Sequence, residues 1–348
     1  MDSLIVWKFL IRPATTLFVG SHLLDPLLEF CNGRRVVLIA DEKIQDPLFA
    51  KKIGAEFLTI PSGEKTKRLE TVERLVDQLC QMGCERDTLL IAMGGGVTTD
   101  LVGFVASIYM RGVPLILIPT TLLAMVDAAI GGKTGIDTAW GKNLLGTVYP
   151  PQAIFADLDR LQTLPEGEWF NGMAEILKMG LICDSQIWER GPGRDPELMV
   201  KAIQGKIAIV DQDPLEQGLR RVLNFGHTVG HALERVSEYM MPHGEAVAFG
   251  CVVEAYLSMK LGYLAEQEFA QIEAVYGRFP LRLPKNYDRG QFLSAMAQDK
   301  KKARGEVRCV ILEKIGRALP FEGTYCRVVK ESEWESALDW MEQWKSFR

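Results

Sequence analysis

Long apolar runs are absent from this 348-residue chain: its most hydrophobic stretch, Val113 to Gly132, is broken by Pro114, Pro119, two threonines and Asp127. That rules out the segment of about 20 apolar residues that spans a bilayer as a helix. Positive charge is not in excess either. With 40 Lys and Arg against 45 Asp and Glu, the net charge is -5, which argues against nonspecific binding to nucleic acid or anionic membranes and directs any local cation cluster toward a small anionic ligand. The seven cysteines are scattered, odd in number and without a CxxC pair; with no secretory leader, reduced thiols in the cytoplasm are expected. Repeats, low-complexity tracts and the dinucleotide fingerprint GxGxxG are missing too. What is present is ordinary globular material, 47% hydrophobic and 24% charged, long enough for about two domains.

The two halves have different textures. Arg35 to Ala40, Ala55 to Ile60, Thr88 to Met93, Leu115 to Ile118 and Ala153 to Asp157 read as short strands separated by amphipathic stretches, the alternation of a mostly parallel α/β sheet. Thr66 to Met82 reads as a crossover helix, with Leu69, Val72, Leu75, Val76 and Leu79 on one face and a stop at Gly83. Beyond Pro165 long helical segments follow, at about 166–183, 195–212, 219–239, 243–262 and 264–278, then a strand pair (Glu306 to Leu312, Arg317 to Leu319) and a helix from about Glu331. The expected architecture is a Rossmann-like α/β domain over 1–164 and a mainly helical domain over 165–348.

Three groups of residues carry chemistry. Three of the four histidines lie within seventeen positions, as His227-x3-His231 and His243, each near glycine. His227 and His231 share a helix face, which suggests a metal site; spacing alone favours three histidines. Glu175 and Lys178, on one face of an otherwise apolar helix in Gly172–Lys178, supply the alternative, because a buried carboxylate needs a cation or metal partner. Gly94-Gly95-Gly96 falls where a strand ends and a helix begins, a place where backbone N–H groups meet a pyrophosphate. Asp41, after the first of the strands named above, either accepts from ribose hydroxyls or caps the next helix. The third group is cationic: Arg111, Lys133, Lys142, Lys178, Lys206 and Arg220 each sit in or beside glycine-rich or apolar sequence. Gly131–Gly135 and Gly141–Asn143 look like loops holding a lysine. Six such cations suit a ligand with both carboxylate and phosphate.

At this point the chain resembles one family, the 3-dehydroquinate synthases. The resemblance rests on Ser62-Gly63-Glu64-Lys65-Thr66-Lys67, Gly94–Asp100, Tyr109–Pro114, Pro119–Ala124, Gly131–Gly135, Gly141–Asn143, Gly172–Glu175, Leu223–Thr228, His243–Ala246 and Asp299-Lys300-Lys301. It implies conversion of 3-deoxy-D-arabino-heptulosonate 7-phosphate to 3-dehydroquinate and phosphate by transient oxidation, phosphate elimination, re-reduction and intramolecular aldol closure, with NAD not consumed. It implies Glu175, His227 and His243 as ligands of Zn²⁺ or Co²⁺, with His231 a neighbour of the substrate.

NAD is implied at Ser62, Gly63, Glu64, Lys65, Thr66, Lys67, Gly96, Val97, Thr98, Thr99, Asp100, Thr120, Thr121, Lys133, Lys142 and the turn Arg160, Leu161, Gln162, Thr163. The substrate anion is assigned to Lys133, Lys178, Lys206, Arg220, Arg111 and one of Lys300 and Lys301, with Asp127, Asn143, Asn224 and His231 positioning hydroxyls or water. The residue matching Arg111 crosses a dimer interface in the family, which implies a homodimer. Departures stand at Thr99, in place of a glycine, at Met125–Ala129 and at Asp137–Trp140. The same plan serves other sugar-phosphate cyclases, such as 2-epi-5-epi-valiolone synthase and amino-dehydroquinate synthase, and iron-dependent alcohol or glycerol dehydrogenases. Lys206, Arg220 and Asn224 count against the valiolone type, and a noncatalytic dinucleotide or metal sensor is the remaining class.

Overall fold

A computed structural model of the chain describes residues 5–9, 14–44, 46–302, 306–321 and 323–346. The chain forms two compact units, Met1–Trp169 and Phe170–Arg348. The division falls inside the helix Glu166–Ile182, a few residues beyond the proline at which the sequence changes texture.

The first unit runs β1 (Ile5–Phe9), β2 (Thr15–Gly20), α1 (Leu24–Cys31), β3 (Val36–Asp41), α2 (Pro47–Lys52), β4 (Glu56–Ile60), α3 (Leu69–Gln81), β5 (Leu89–Gly94), α4 (Gly96–Ile108), β6 (Leu115–Pro119), β7 (Lys133–Thr138), β8 (Gly141–Val148) and β9 (Ala153–Asp157). Seven strands make one sheet in the order β1-β2-β9-β6-β5-β3-β4, parallel except for the edge strand β1. Its centre is apolar on both faces, as a parallel sheet covered on both sides must be. On one face Leu38, Ile91, Ile116 and Phe155 pack with Leu23, Leu27 and Ala50, and Phe155 stacks on Phe18 at 4.6 Å. Each such leucine or isoleucine contributes roughly 1.5–3 kcal/mol by burial.

The chain leaves β3 toward β4 on one side and β5 toward β6 on the other. Their carboxyl ends therefore flank the switch point at which open α/β sheets bind ligands. Two strands ahead of β3 lie outside the sequence reading. So does the antiparallel hairpin β7–β8, formed by the two segments expected to be lysine-bearing loops. Pairing of Ile136 with Leu145 draws both glycine-rich segments into strands.

The second unit follows with α5 (Glu166–Ile182), α6 (Ser185–Arg190), α7 (Pro196–Gln212), α8 (His227–Val236), α9 (His243–Lys260), α10 (Glu266–Tyr276), α11 (Arg289–Lys302), β10 (Arg308–Cys309), β11 (Leu312–Lys314), β12 (Arg317–Ala318), β13 (Arg327–Val328) and α12 (Glu331–Ser346). Helix α9 is buried from Ala246 to Ser258, the mark of a central helix. Tyr256 on α9 stacks on Trp340 of α12 at 4.3 Å.

The single helix expected over 219–239 is two pieces, a short turn Leu219–Asn224 and α8, separated at Gly226 with φ of 78°. The break is steric: a Cβ at Gly226 would lie within 3 Å of the Val247 carbonyl and the Cys251 amide of α9. The expected pairing of Glu306–Leu312 with Arg317–Leu319 is also divided. β11 pairs with β12, but Arg308 and Cys309 pair with Val328 and Arg327 of β13.

Candidate metal centre and cofactor site

In the second unit, three elements bring together a carboxylate and two imidazoles. Glu175 lies in the middle of α5 and is 1% exposed. His227 is the first residue of α8 and His243 the first of α9. Nε2 of His227 lies 3.6 Å from Glu175 Oε1, and Nε2 of His243 lies 3.5 Å from the same oxygen. One ligand atom from each falls within 4.8 Å of the others. His231, one turn along α8, is exposed, with its ring 5.2 Å from that of His227 and 6.3 Å from that of His243. The triad thus includes the carboxylate and leaves out the third histidine that spacing alone favours.

The donor set fits a divalent cation. Both Glu175 oxygens are buried without a hydrogen-bond partner, although the Lys178 ammonium makes ion-pair contact with Oε2. A buried carboxylate left in that state costs free energy unless a cation completes it. Burial acts to raise the Glu175 carboxyl, but Lys178 and then the two imidazoles hold it well below the carboxylate range. Burial and Lys178 push His227 well below its ordinary value, so its imidazole is neutral, the form that can ligate a cation. For His243 burial acts downward, and the Glu175 and Glu234 carboxylates overcome it, raising the imidazole to about 10 in the metal-free protein. Behind the imidazoles, His227 Nδ1 lies 3.1 Å from the Phe225 carbonyl and His243 Nδ1 lies 3.5 Å from Glu234, partners that fix ring orientation. Glu234 escaped the sequence reading; its signal was a glutamate on the buried face of α8, three residues after His231.

Of the cations expected at the substrate, Lys178, Lys206, Arg220 and the pair Lys300 and Lys301 belong to this unit. Lys178, 1% exposed, donates to the Leu223 carbonyl at 2.7 Å. Lys206 on α7 and Arg220, which donates to the Pro214 carbonyl, are buried. Asn224 Nδ2 donates to Glu216 at 2.6 Å. Lys300 and Lys301 belong to α11, but their side chains lie outside the described residues.

The residues expected to bind the cofactor lie in the first unit, after the carboxyl ends of β4, β5, β6 and β9 and on the hairpin β7–β8. Gly96 opens α4 directly after β5. A Cβ on Gly94 would collide with Thr98, and one on Gly96 would lie 3.2 Å from Ala128. Buried hydroxyls at Thr98 and Thr120 have no hydrogen-bond partner. A helix N-terminus with bare glycines and orphan hydroxyls at a switch point fits the phosphates of a dinucleotide. Thr99 turns back on its own helix, its hydroxyl donating to the Gly96 carbonyl at 3.0 Å, and Val97 is half-buried beside it.

Asp41 does not cap α2, since Asp46 does so through Phe49 N–H; instead Asp41 accepts from the Lys43 N–H and the Ser62 hydroxyl. After Gly63, at φ of 92°, Glu64, Lys65 and Thr66 form a single turn. Buried Lys67 donates to Asp100 and Asn143, each at 2.6 Å, and Lys142 approaches Glu64 at 3.8 Å. Thr121 accepts from the Ala124 N–H at 3.2 Å, ahead of the wide turn carrying Asp127. Arg160 rests over the Phe49 ring at 4.7 Å with Leu161 buried, and Gln162 and Thr163 are exposed. Lys133 opens β7 and is exposed, and Arg111 is exposed on a turn in which Met110, Arg111 and Gly112 all have positive φ.

Comparison with known proteins matches this arrangement along most of the chain. The family profile of the 3-dehydroquinate synthase N-terminal domain covers residues 57–171, and that of the C-terminal domain covers 172–302. The chain belongs to the 3-dehydroquinate synthase family. A 3-dehydroquinate synthase of Thermodesulfovibrio yellowstonii is 38% identical over 316 residues, 84% of this chain and 88% of that protein. Among solved structures, 2-epi-5-epi-valiolone synthase from Streptomyces hygroscopicus subsp. jinggangensis, with NAD⁺ and Zn²⁺ bound, superposes with a TM-score of 0.82 at 29% identity, over 94% of this chain and 96% of that one. 2-deoxy-scyllo-inosose synthase, complexed with carbaglucose-6-phosphate, NAD⁺ and Co²⁺, superposes with a TM-score of 0.87 at 23% identity, over 96% and 99% of the chains, a likeness of fold. Membership of this family makes the chain an enzyme, and Glu175, His227 and His243 are the residues that would hold a divalent ion in it.

Proposed function

We propose that the chain converts 3-deoxy-D-arabino-heptulosonate 7-phosphate to 3-dehydroquinate and inorganic phosphate. The observation that carries this reading is the Glu175, His227 and His243 cluster, whose buried carboxylate lacks a hydrogen-bond partner, in a chain of this family. When bound, NAD supplies a reversible hydride acceptor and the divalent cation supplies Lewis-acid polarisation of substrate oxygens.

The protein's own part is binding and orientation. Glu175, His227 and His243 hold the cation. Lys178, pinned between Glu175 and the Leu223 carbonyl, keeps a fixed positive charge beside it and stabilises negative charge developing on substrate oxygen. Lys206 and Arg220, with Lys300 or Lys301, bind the carboxylate and phosphate of the substrate. Asn224 and His231 orient hydroxyls and water. In the first unit, Ser62 to Lys67, Gly96 to Asp100, Thr120, Thr121, Lys142 and Arg160 to Thr163 bind NAD. Arg111, Asp127, Lys133 and Asn143 contribute to substrate binding, with Lys133 shared with the cofactor. The expected assembly is a homodimer acting in the cytoplasm; among the described residues no helix is long and apolar enough to cross a membrane.

The deciding assay follows phosphate and 340 nm absorbance together, with the named substrate, added zinc and NAD well below substrate concentration. Many phosphates released per NAD, without net NADH, are expected. Absence of phosphate with NADH accumulating on a simple polyol would replace this reading with that of a dehydrogenase.

A further inference from the structure

The amino end of α8, which carries His227, is capped by the chain's own buried carboxylate from another helix. Glu254 on α9 is 0% exposed. Its Oε2 accepts from the Gly226 N–H at 2.9 Å, and its Oε1 from the Thr228 N–H at 3.1 Å and the Val229 N–H at 3.3 Å. The first N–H groups of a helix have no partner within it, and the residue at the cap position, Gly226, has no side chain to offer. The two carboxyl oxygens of Glu254 satisfy them. These amides bracket His227, one residue before it and one and two after.

The same kind of bond recurs around the centre. Gly244 N–H, next to His243 at the start of α9, donates to Asn171 Oδ1, one turn before Glu175 on α5. Lys178, one turn after Glu175, donates to the Leu223 carbonyl just ahead of α8. The three ligand-bearing helices are therefore closed into a ring by side-chain to backbone bonds. In that ring Glu254 makes no hydrogen bond to the three ligand side chains among the described residues, yet it accepts from the amides on either side of His227.

We infer that Glu254 is a positioning residue: by fixing the amino end of α8 against α9 it sets the distance of His227 from Glu175 and His243, and so the affinity and geometry of the cation site. This rests on the reading that those three residues hold a divalent cation. Glutamate suits the task because both oxygens are used as acceptors. Glutamine would turn an amide NH₂ toward the Gly226 N–H, donor against donor, and aspartate would be shorter by about 1.5 Å, one carbon–carbon bond.

The test uses full-length Glu254→Gln, titrated with Co²⁺ in competition with a chelator while the visible Co²⁺ spectrum is recorded. Asp195→Ala is the control for lost stability alone, since it removes the cap of α7, which accepts from Glu197 N–H at 2.9 Å, away from the ring. We expect Glu254→Gln to weaken Co²⁺ binding about 10- to 100-fold and alter the spectrum, with Asp195→Ala unchanged in both whatever its melting temperature. If Glu254→Gln does not fold, Glu254→Asp, which keeps the carboxyl group and shortens the reach, is measured in its place with the same expectation. Wild-type affinity and spectrum in the variant, even with a lower melting temperature, would reduce Glu254 to a structural cap and overturn the inference. A wild-type chain that takes up no Co²⁺ would overturn the metal reading instead.

Discussion

Glu175 shows at the scale of one residue why a charged group sits in an apolar helix. Its carboxylate is buried beside the Lys178 ammonium and two imidazoles, a cluster that is stable because opposite charges offset part of each other's desolvation. Removing one member leaves the rest uncompensated. Glu175→Ala and His243→Ala are expected to lose bound metal by elemental analysis, and His231→Ala to retain it; a metal-free His231→Ala protein would restore the three-histidine site.

The titration of His243 adds a pH dependence. Its ordinary value is 6.5 and the folded, metal-free value is about 10. A raised value means that His243 contributes stability in full below about 6.5, and that this is lost as pH rises through about 10. At pH 7.5 the metal-free protein therefore holds an imidazolium there, and an incoming cation must displace its proton. Zinc titrations in buffers of different ionisation enthalpy are expected to show about one proton released per ion. Uptake without proton release would place the His243 value below neutrality.

Helices α8 and α9 show what one element demands of another. Gly250 of α9 lies so close to α8 that a Cβ there would fall on the Gly226 carbonyl oxygen, and backbone cannot swing aside as a side chain can. Gly250→Ala is expected to destabilise the protein by about 3 kcal/mol, the upper end for overpacking, seen as a lower midpoint in urea with unchanged slope. An unchanged midpoint would mean that α8 and α9 are not packed this closely in solution. The same crossing explains the sequence error over 219–239. Apolar periodicity continues through Phe225 and Gly226, and only the approach of α9 breaks the helix. For the hairpin β7–β8, glycine-rich composition pointed to loops, because the pairing that makes Gly135 and Gly146 strand residues has no local signature. Helices α1, α6 and α11 also went unread; α1 and α6 are only 8 and 6 residues long.

For the molecule as a whole, the proposed cation site draws Glu175, His227 and His243 from three distant stretches of sequence, so a bound ion is expected to stabilise the fold that creates the site. A ligand at about 1,000 times its dissociation constant adds about 4 kcal/mol. Chelation is expected to lower the melting temperature of the wild-type chain and to leave that of Glu175→Ala unmoved; equal shifts in both would place the stabilising ion elsewhere. In the first unit the strand order puts Asp41 and Gly94–Gly96 at the switch point, the place at which open α/β sheets bind ligands.

Sequence alone determined the alternation that makes a parallel sheet, the helical character after Pro165, and the residue types of both chemical clusters, because periodicity, β-branching and motif spacing are local properties. It left open whether Glu175 or His231 joins His227 and His243 and whether Asp41 caps a helix, and it read one unbroken helix over 219–239 where there are two pieces. Tertiary structure decided these, since each depends on which distant backbone arrives within a few ångströms: α9 against Gly226, Ser62 against Asp41, and α5 against the first residues of α8 and α9.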